Sequence, residues 1–207
     1  AYYNFNSGSG STLTDQTSNG NDGTLQNNPS WVSSGAVLTD DPDLENGGTF
    51  GNDVKAVSPG NKSTDQAGGI ELSNYSNSTS GNFIIVGHNN ASGENALNNN
   101  SPIDKKLGRD WKFDKNGNGS ADITFNTNKA DNGTFASSAS PSATDYLFVI
   151  EDVNAADGYA VDQNGANNVD VSNNTISFTS IAVLDGDTYS MGTEDETNSP
   201  LPVELTY

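Results

Sequence analysis

Apolar residues in this chain fall in short, dense runs separated by long polar stretches. Residues 82–87 (Asn-Phe-Ile-Ile-Val-Gly) and 145–151 (Asp-Tyr-Leu-Phe-Val-Ile-Glu) are compact β-branched and aromatic runs. Both have the length and composition of strands buried on both faces. Residues 175–179 alternate apolar with polar and continue through Ile181 and Val183. The step from Phe178 to Ile181 breaks the period of two, which predicts a bulge. Trp111-Lys112-Phe113 and Ile123-Thr124-Phe125 alternate as well. With weaker runs included, the pattern predicts strands over 1–6, 23–26, 30–33, 36–39, 54–57, 69–72, 82–87, 107–113, 121–126, 134–136, 145–151, 175–183, 188–192 and 203–207. Only residues 93–98 carry a helical pattern, and a short one. Many short strands without a convincing helix predict an all-β fold, a β-sandwich or jelly roll with long polar loops.

The segments between the runs decide between order and disorder. More than half of the 207 residues are Asn, Gly, Ser, Thr or Asp, and hydrophobic residues make up 31%. With a net charge of -19, that composition alone reads as disorder. The clustering of the apolar residues overrides it. Asn-Gly pairs at 19–20, 46–47, 116–117, 118–119, 132–133 and 164–165 supply residues that tolerate positive φ and favour tight turns. Organisation follows from the same pattern. Residues 1–40 form an N-terminal strand segment, with Asp40-Asp41-Pro42-Asp43 as a break. Residues 41–197 form the main sandwich. Residues 198–207, with Pro200 and Pro202, form an extended linker or edge strand.

Charge excludes some partners. Lys and Arg total 8 against 27 Asp and Glu, so no basic surface exists to neutralise phosphates, and nucleic acid is not an expected partner. No apolar run approaches the roughly 20 residues of a spanning helix, so membrane insertion is not expected. The absence of Cys leaves the redox compartment unread. Asn-X-Ser/Thr sequons, among them Asn61, Asn74, Asn77, Asn90, Asn118, Asn132 and Asn173, permit glycosylation at a density the composition alone would give.

Three stretches resemble known families. Residues 1–15, with Asn19-Gly-Asn-Asp-Gly-Thr-Leu25 and Pro29-Ser-Trp-Val32, resemble the opening of a laminin-G-like jelly roll. Ile85-Val-Gly-His88, Leu107-Gly-Arg-Asp-Trp-Lys-Phe113, Tyr146-Leu-Phe-Val149 and Asp185-Gly-Asp-Thr-Tyr-Ser-Met-Gly192 resemble a β-sandwich domain of large secreted Bacteroidota surface proteins. Residues 200–207 resemble the linker before a type IX secretion sorting domain. The resemblance implies an extracellular or cell-surface protein, adhesive and non-catalytic, and a start at Ala1 fits a leader already removed. The chain departs from the laminin-G-like pattern after Trp31 and ends without a sorting domain.

The motif with most chemistry in it is Asp114-x-Asn116-x-Asn118-Gly119-Ser120-x-Asp122. Oxygen ligands at alternate positions, with Gly at the sharp turn and Ser120 contributing its carbonyl, are the pattern that gathers Ca²⁺. The rival reading is a plain hairpin loop between the Trp111 and Ile123 strands, because the EF-hand's twelfth-position Glu is replaced by Phe125. Weaker oxygen clusters lie at Asp152, Asn154 and Asp157, at Asp162, Asn164 and Asp170, and at Asp185 and Asp187. His88, the sole histidine, follows a buried strand and reads as structural. No nucleophile, zinc or phosphate-loop motif occurs, so no enzyme is expected. Trp111 reads as core, whereas Trp31 is less committed and open to sugar stacking. The functional expectation is an extracellular structural or adhesive protein, stabilised by Ca²⁺, forming homopolymers through terminal strands 1–6 and 203–207. The alternative is a carbohydrate-binding module with a glycan partner.

Overall fold

A computed structural model describes residues 1, 9–15, 17, 19–27, 29–31, 39, 41–45, 47–64, 67–97, 102–136, 139–152, 154–155 and 158–202. All but Ala1 of the strand expected at 1–6, the strand expected at 203–207, most of those at 30–33 and 36–39, and Asp157 lie outside the described residues. Contacts divide the chain into two compact units, Ala1–Leu38 and Thr39–Tyr207.

In the first unit β1 (Thr12–Leu13) pairs antiparallel with β2 (Gly23–Thr24). One carboxylate shapes the connection. Asp15 Oδ1 accepts from the Thr17 N–H at 3.0 Å, and its Oδ2 accepts from the Asn21 N–H at 3.0 Å. These bonds close the loop across Asn19-Gly20, as short polar side chains do when they compete for the backbone.

The second unit holds β3 (Asn52–Val57), β4 (Ile70–Ser73), β5 (Phe83–His88), β6 (Glu94–Ala96), β7 (Lys105–Leu107), β8 (Trp111–Asn116), β9 (Ala121–Asn126), β10 (Tyr146–Glu151), β11 (Tyr159–Asn164), β12 (Asn168–Asp170), β13 (Thr175–Ile181) and β14 (Thr188–Thr193). The larger sheet runs β11-β10-β14-β8-β5-β3, with β7 also paired to β14 and β6 paired to β7. The smaller sheet runs β12-β13-β9-β4. Every pairing is antiparallel. The two sheets pack as a sandwich, and the expected all-β fold is the one observed.

Period-two alternation builds the core. Trp111 and Phe113 of β8 face Ile123 and Phe125 of β9, and all four are buried. Trp111 meets Phe125 edge-on at 5.3 Å, and Phe148 of the larger sheet meets Phe178 of the smaller at 5.7 Å. Such pairs contribute about 0.5–1.5 kcal/mol each beyond their burial. The Trp111 indole N–H donates to the Ala67 carbonyl at 2.8 Å, so its one polar atom is satisfied.

The larger sheet is also covered on its outer face. Ile103, Leu147 and Val149 form a second apolar cluster there, joined by Leu97, Tyr159 and Val161. The stretch read as a break at Asp41-Pro42-Asp43 is a short 3₁₀ turn, Pro42–Leu44, capped by the Asp41 side chain on the Asp43 N–H. It anchors itself on the sheet: Asp41 and Asp43 both pair with Lys112, at 3.1 and 2.9 Å, and Leu44 is buried.

Several local expectations are corrected. The strand over 107–113 is two strands, because the chain turns at Gly108 against the Ser92 carbonyl, where a Cβ would sit 2.2 Å away. Residues 93–98 hold strand β6, not a helix. Residues 134–136 form no strand; just before them Thr127–Asp131 makes a five-residue helix, α1, capped by Asn126 and closed by Asn132 in the left-handed conformation. Strands β11 and β12 were not expected, since Tyr-Ala-Val-Asp-Gln-Asn and Asn-Val-Asp are too polar to stand out. The bulge in β13 is present, with register shifting between Phe178 and Ile181 and Ser180 at φ 57°. Past the last strand, Leu201 is buried in the core and the Tyr146 hydroxyl donates to the Pro200 carbonyl at 3.0 Å.

Candidate functional site

The Asp114–Asp122 motif lies where β8 ends and β9 begins. These strands belong to different sheets, so the Asn-Gly-Asn-Gly turn is a sheet-to-sheet crossover and not the hairpin the sequence suggested. That placement governs the oxygen donors. Phe113 points into the core, so Asp114 points to the outer face of the larger sheet, where it is buried and accepts from the Thr39 hydroxyl. Ala121 and Ile123 point into the core, so Asp122 points to the outer face of the smaller sheet. Its Oδ1 accepts from the Ser180 N–H at 2.8 Å and its Oδ2 from the Asn74 amide at 2.6 Å. The Asn116 amide donates to the Gly81 carbonyl at 2.9 Å. Asn118 is exposed, and Ser120 is bonded to Ser76. Asp114 and Asp122 therefore look out from opposite sides of a core layer about 10 Å thick. Among the described residues no group of three or more His, Asp or Glu side chains converges on one point.

The crossover does bring other groups together. At this end of the sandwich a hollow of about 500 Å³ opens between the sheets. One wall is Ser76, Asn77 and Ser78, following β4; the other is Asn118, Gly119 and Ser120. The walls are clamped. The Ser76 N–H donates to the Ser120 carbonyl at 2.9 Å, and the Ser120 N–H to the Ser76 hydroxyl at 2.9 Å. Lys115 pairs with Ile84, a core residue, so it lies on the inner face of β8. Its ammonium emerges at the mouth of the sandwich and donates to the Val183 carbonyl. Tyr75 packs beneath Gly119, and its hydroxyl is the one buried side-chain polar atom without a partner among the described residues.

The remaining acidic loops brace themselves. Asp152 Oδ1 accepts from the Asn154 N–H, and Asp170 accepts from Ser172 and Asn173. The Ser172 hydroxyl, followed by the Asn173 donors, holds the Asp170 carboxyl down to about 2. Asp195 is likewise lowered, by the Asn198 amide first. Asp162 is raised, first by burial and then by the charge of Asp187. Asp185 accepts from the Lys115 N–H at 2.8 Å. At Asp152, Asp170 and Asp195 these are Asx turns, local devices that spend the carboxylate on nearby N–H groups, whereas Asp185 ties its turn to the distant β8 strand.

Two clusters escaped the sequence reading. Lys106 is buried, 2.8 Å from Asp110 and 4.5 Å from the centre of the Tyr159 ring. The Tyr159 hydroxyl donates to the same Asp110 oxygen at 3.1 Å. Burial, then the Asp110 charge, pushes the Tyr159 phenol upward, so it stays a donor. In the second cluster His88 lies against Gly68, where a Cβ would sit 2.2 Å from the ring. His88 Nδ1 accepts from the Asn90 N–H at 3.0 Å. Arg109 bonds the Gly68 carbonyl at 2.9 Å and the Ala91 carbonyl at 3.0 Å. Burial first, and then the Arg109 charge, lowers the imidazole to about 4. Neither cluster has a local sequence signal, because its members come from separate strands and loops. Trp111 is core as expected, and Trp31 donates to the Gly10 carbonyl at 2.7 Å within the first unit.

By class, then, this is an antiparallel two-sheet β-sandwich with self-braced acidic loops and a hydroxyl- and amide-lined hollow at one end. The chain belongs to the family described as a domain of unknown function (DUF8202), which it matches over residues 52–187. That span runs from β3 to the turn before β14 and so takes in strands of both sheets. No curated protein and no solved structure matches the chain.

Proposed function

We propose that this chain is a non-catalytic structural or adhesive domain of an exported surface protein. The observation that carries the reading is where the polar side chains are spent. The acidic loops fold back on their own N–H groups, and the sole histidine holds a turn. The space between the sheets is filled by interlocking aromatic rings. What these arrangements favour is a rigid, soluble spacer with an adhesive surface, consistent with the surface-protein resemblance of 85–192. Head-to-tail assembly through the terminal segments 1–6 and 203–207 belongs to the same proposal. Light scattering and negative-stain microscopy of the full chain, beside a chain lacking residues 1–6, test it. Concentration-dependent polymers that disappear on truncation are expected. A monomer at all concentrations overturns the assembly part, and turnover of a glycoside or peptide by the pure chain overturns the non-catalytic part. A second reading, saccharide binding, is favoured by the hollow beside Lys115.

A further inference from the structure

The hollow at the mouth of the sandwich supports a statement about what the surface holds. It rests on the adhesive reading above and gives that reading a ligand class. We infer that the hollow binds uncharged, hydroxyl-rich saccharide chains, with Lys115 and Asn118 as its principal contacts.

The groups at the hollow determine the chemistry. Ser76, Asn77, Ser78, Asn118 and Ser120 present hydroxyls and amides, which both donate and accept. A sugar hydroxyl has the same dual character, so each contact is reciprocal. The Asn118 amide and the Ser78 hydroxyl have no hydrogen-bond partner among the described residues, whereas Asn77 Oδ1 is fixed on the Thr79 N–H at 2.7 Å. The walls are held before any ligand arrives by the paired Ser76–Ser120 bonds, which limits the ordering cost of binding. The hollow, about 500 Å³, is shallow and open, which suits a chain lying along the surface better than an enclosed small molecule.

Charge narrows the class. Lys55, Lys105, Lys106 and Lys112 each sit on a carboxylate. Lys115 donates to a backbone carbonyl and, like Lys62 and Lys129, has no carboxylate partner among the described residues. Among the described residues no carboxylate lines the hollow. A cationic ligand, though drawn in by the net charge of -19, would meet the Lys115 ammonium at the hollow itself. A polyanion would approach a molecule of net charge -19 against its field. A neutral polyol meets neither obstacle and takes the spare ammonium hydrogens on its oxygens. A second hollow of about 330 Å³ adjoins the first at Ser78 and extends past Pro59 and Phe83. The two together suit an extended chain better than a single sugar.

The test is an NMR titration of the ¹⁵N-labelled full chain with neutral oligomers of glucose, galactose and mannose, and with uronic-acid oligomers at equal concentration. Shifts confined to 76–78 and 115–120 with a neutral oligomer are expected. Asn118→Ala, at an exposed position, is expected to weaken binding about tenfold. Lys115→Met keeps the stem and removes the charge, and is expected to weaken binding similarly. No shifts at these residues with any saccharide, shifts centred elsewhere, or stronger binding of the uronic oligomers would each overturn the inference. Light scattering on the same samples separates this from the broader reading. Polymers without saccharide shifts reject the site and leave the adhesive domain standing. Saccharide shifts without polymers support the site and reject the assembly.

Discussion

Mild acid should destabilise this domain through His88. The imidazole is 4% exposed, pressed on Gly68, and holds the Asn90 N–H through Nδ1. Accepting that bond requires the neutral ring. Protonation would turn the acceptor into a donor and place a second cation beside Arg109, while Asp53, bonded to the Gly68 N–H and paired with Lys55, offsets only part of that. The folded group titrates near 4, against an ordinary value of 6.5. The unfolded chain therefore takes up the proton below 6.5 while the folded chain does not. Stability is fully present above that value and falls as the pH drops toward 4, by about 1.4 kcal/mol per unit at most. The loss from His88 between pH 7 and pH 5 comes to about 2 kcal/mol. Asp53, Asp170 and Asp195, whose folded values are lowered, lose their contributions only as the pH falls below the ordinary carboxylate range near 4, and Asp162, whose value is raised, acts in the opposite sense but equally in the natural chain and a His88 variant, so the difference between the two isolates the histidine. Urea unfolding at pH 7 and pH 5, on the natural chain and on His88→Gln, measures it. The natural chain should lose about 2 kcal/mol more than the variant across that interval. Equal losses, or an NMR titration placing His88 near 6.5, would refute the reasoning.

Other consequences concern polar groups. Tyr75→Phe removes the hydroxyl that is buried without a partner among the described residues, so the melting temperature should hold or rise, by up to about 1 kcal/mol of added stability; a clear loss would show that the hydroxyl is used. Asp114→Ala removes the acceptor of the Thr39 hydroxyl and should lower the melting temperature equally in Ca²⁺ and in chelator. A loss seen only with Ca²⁺ would restore a cation at this carboxylate. Lys106→Met strands Asp110 under its Tyr159 and Asn89 contacts and should cost about 2–3 kcal/mol in urea unfolding, with Asp110→Asn in the same background recovering much of it. If the double variant is no better than the single, the penalty is lost packing and not an unpaired charge.

The sequence by itself determined the elements that rest on local physics. Dense β-branched runs became β5 and β10, alternation placed Trp111, Phe113, Ile123 and Phe125 in the core, and the broken period at Phe178 became a bulge. Polar strands such as β11 were illegible, because their hydrophobic pattern is too faint and long-range hydrogen bonding forms them. The site divided in the same way. The Asp114–Asp122 spacing was visible, but spacing along a chain does not say which sheet each strand joins. Pairing with β5 and β14 takes β8 into one sheet, and pairing with β4 and β13 takes β9 into the other. Side chains alternate within a strand by local geometry, whereas the direction called outward is set only once the sheets face each other. That is why the tertiary structure sends two carboxylates to opposite surfaces and gathers Lys115, Asn118 and the serines of a distant loop at one mouth.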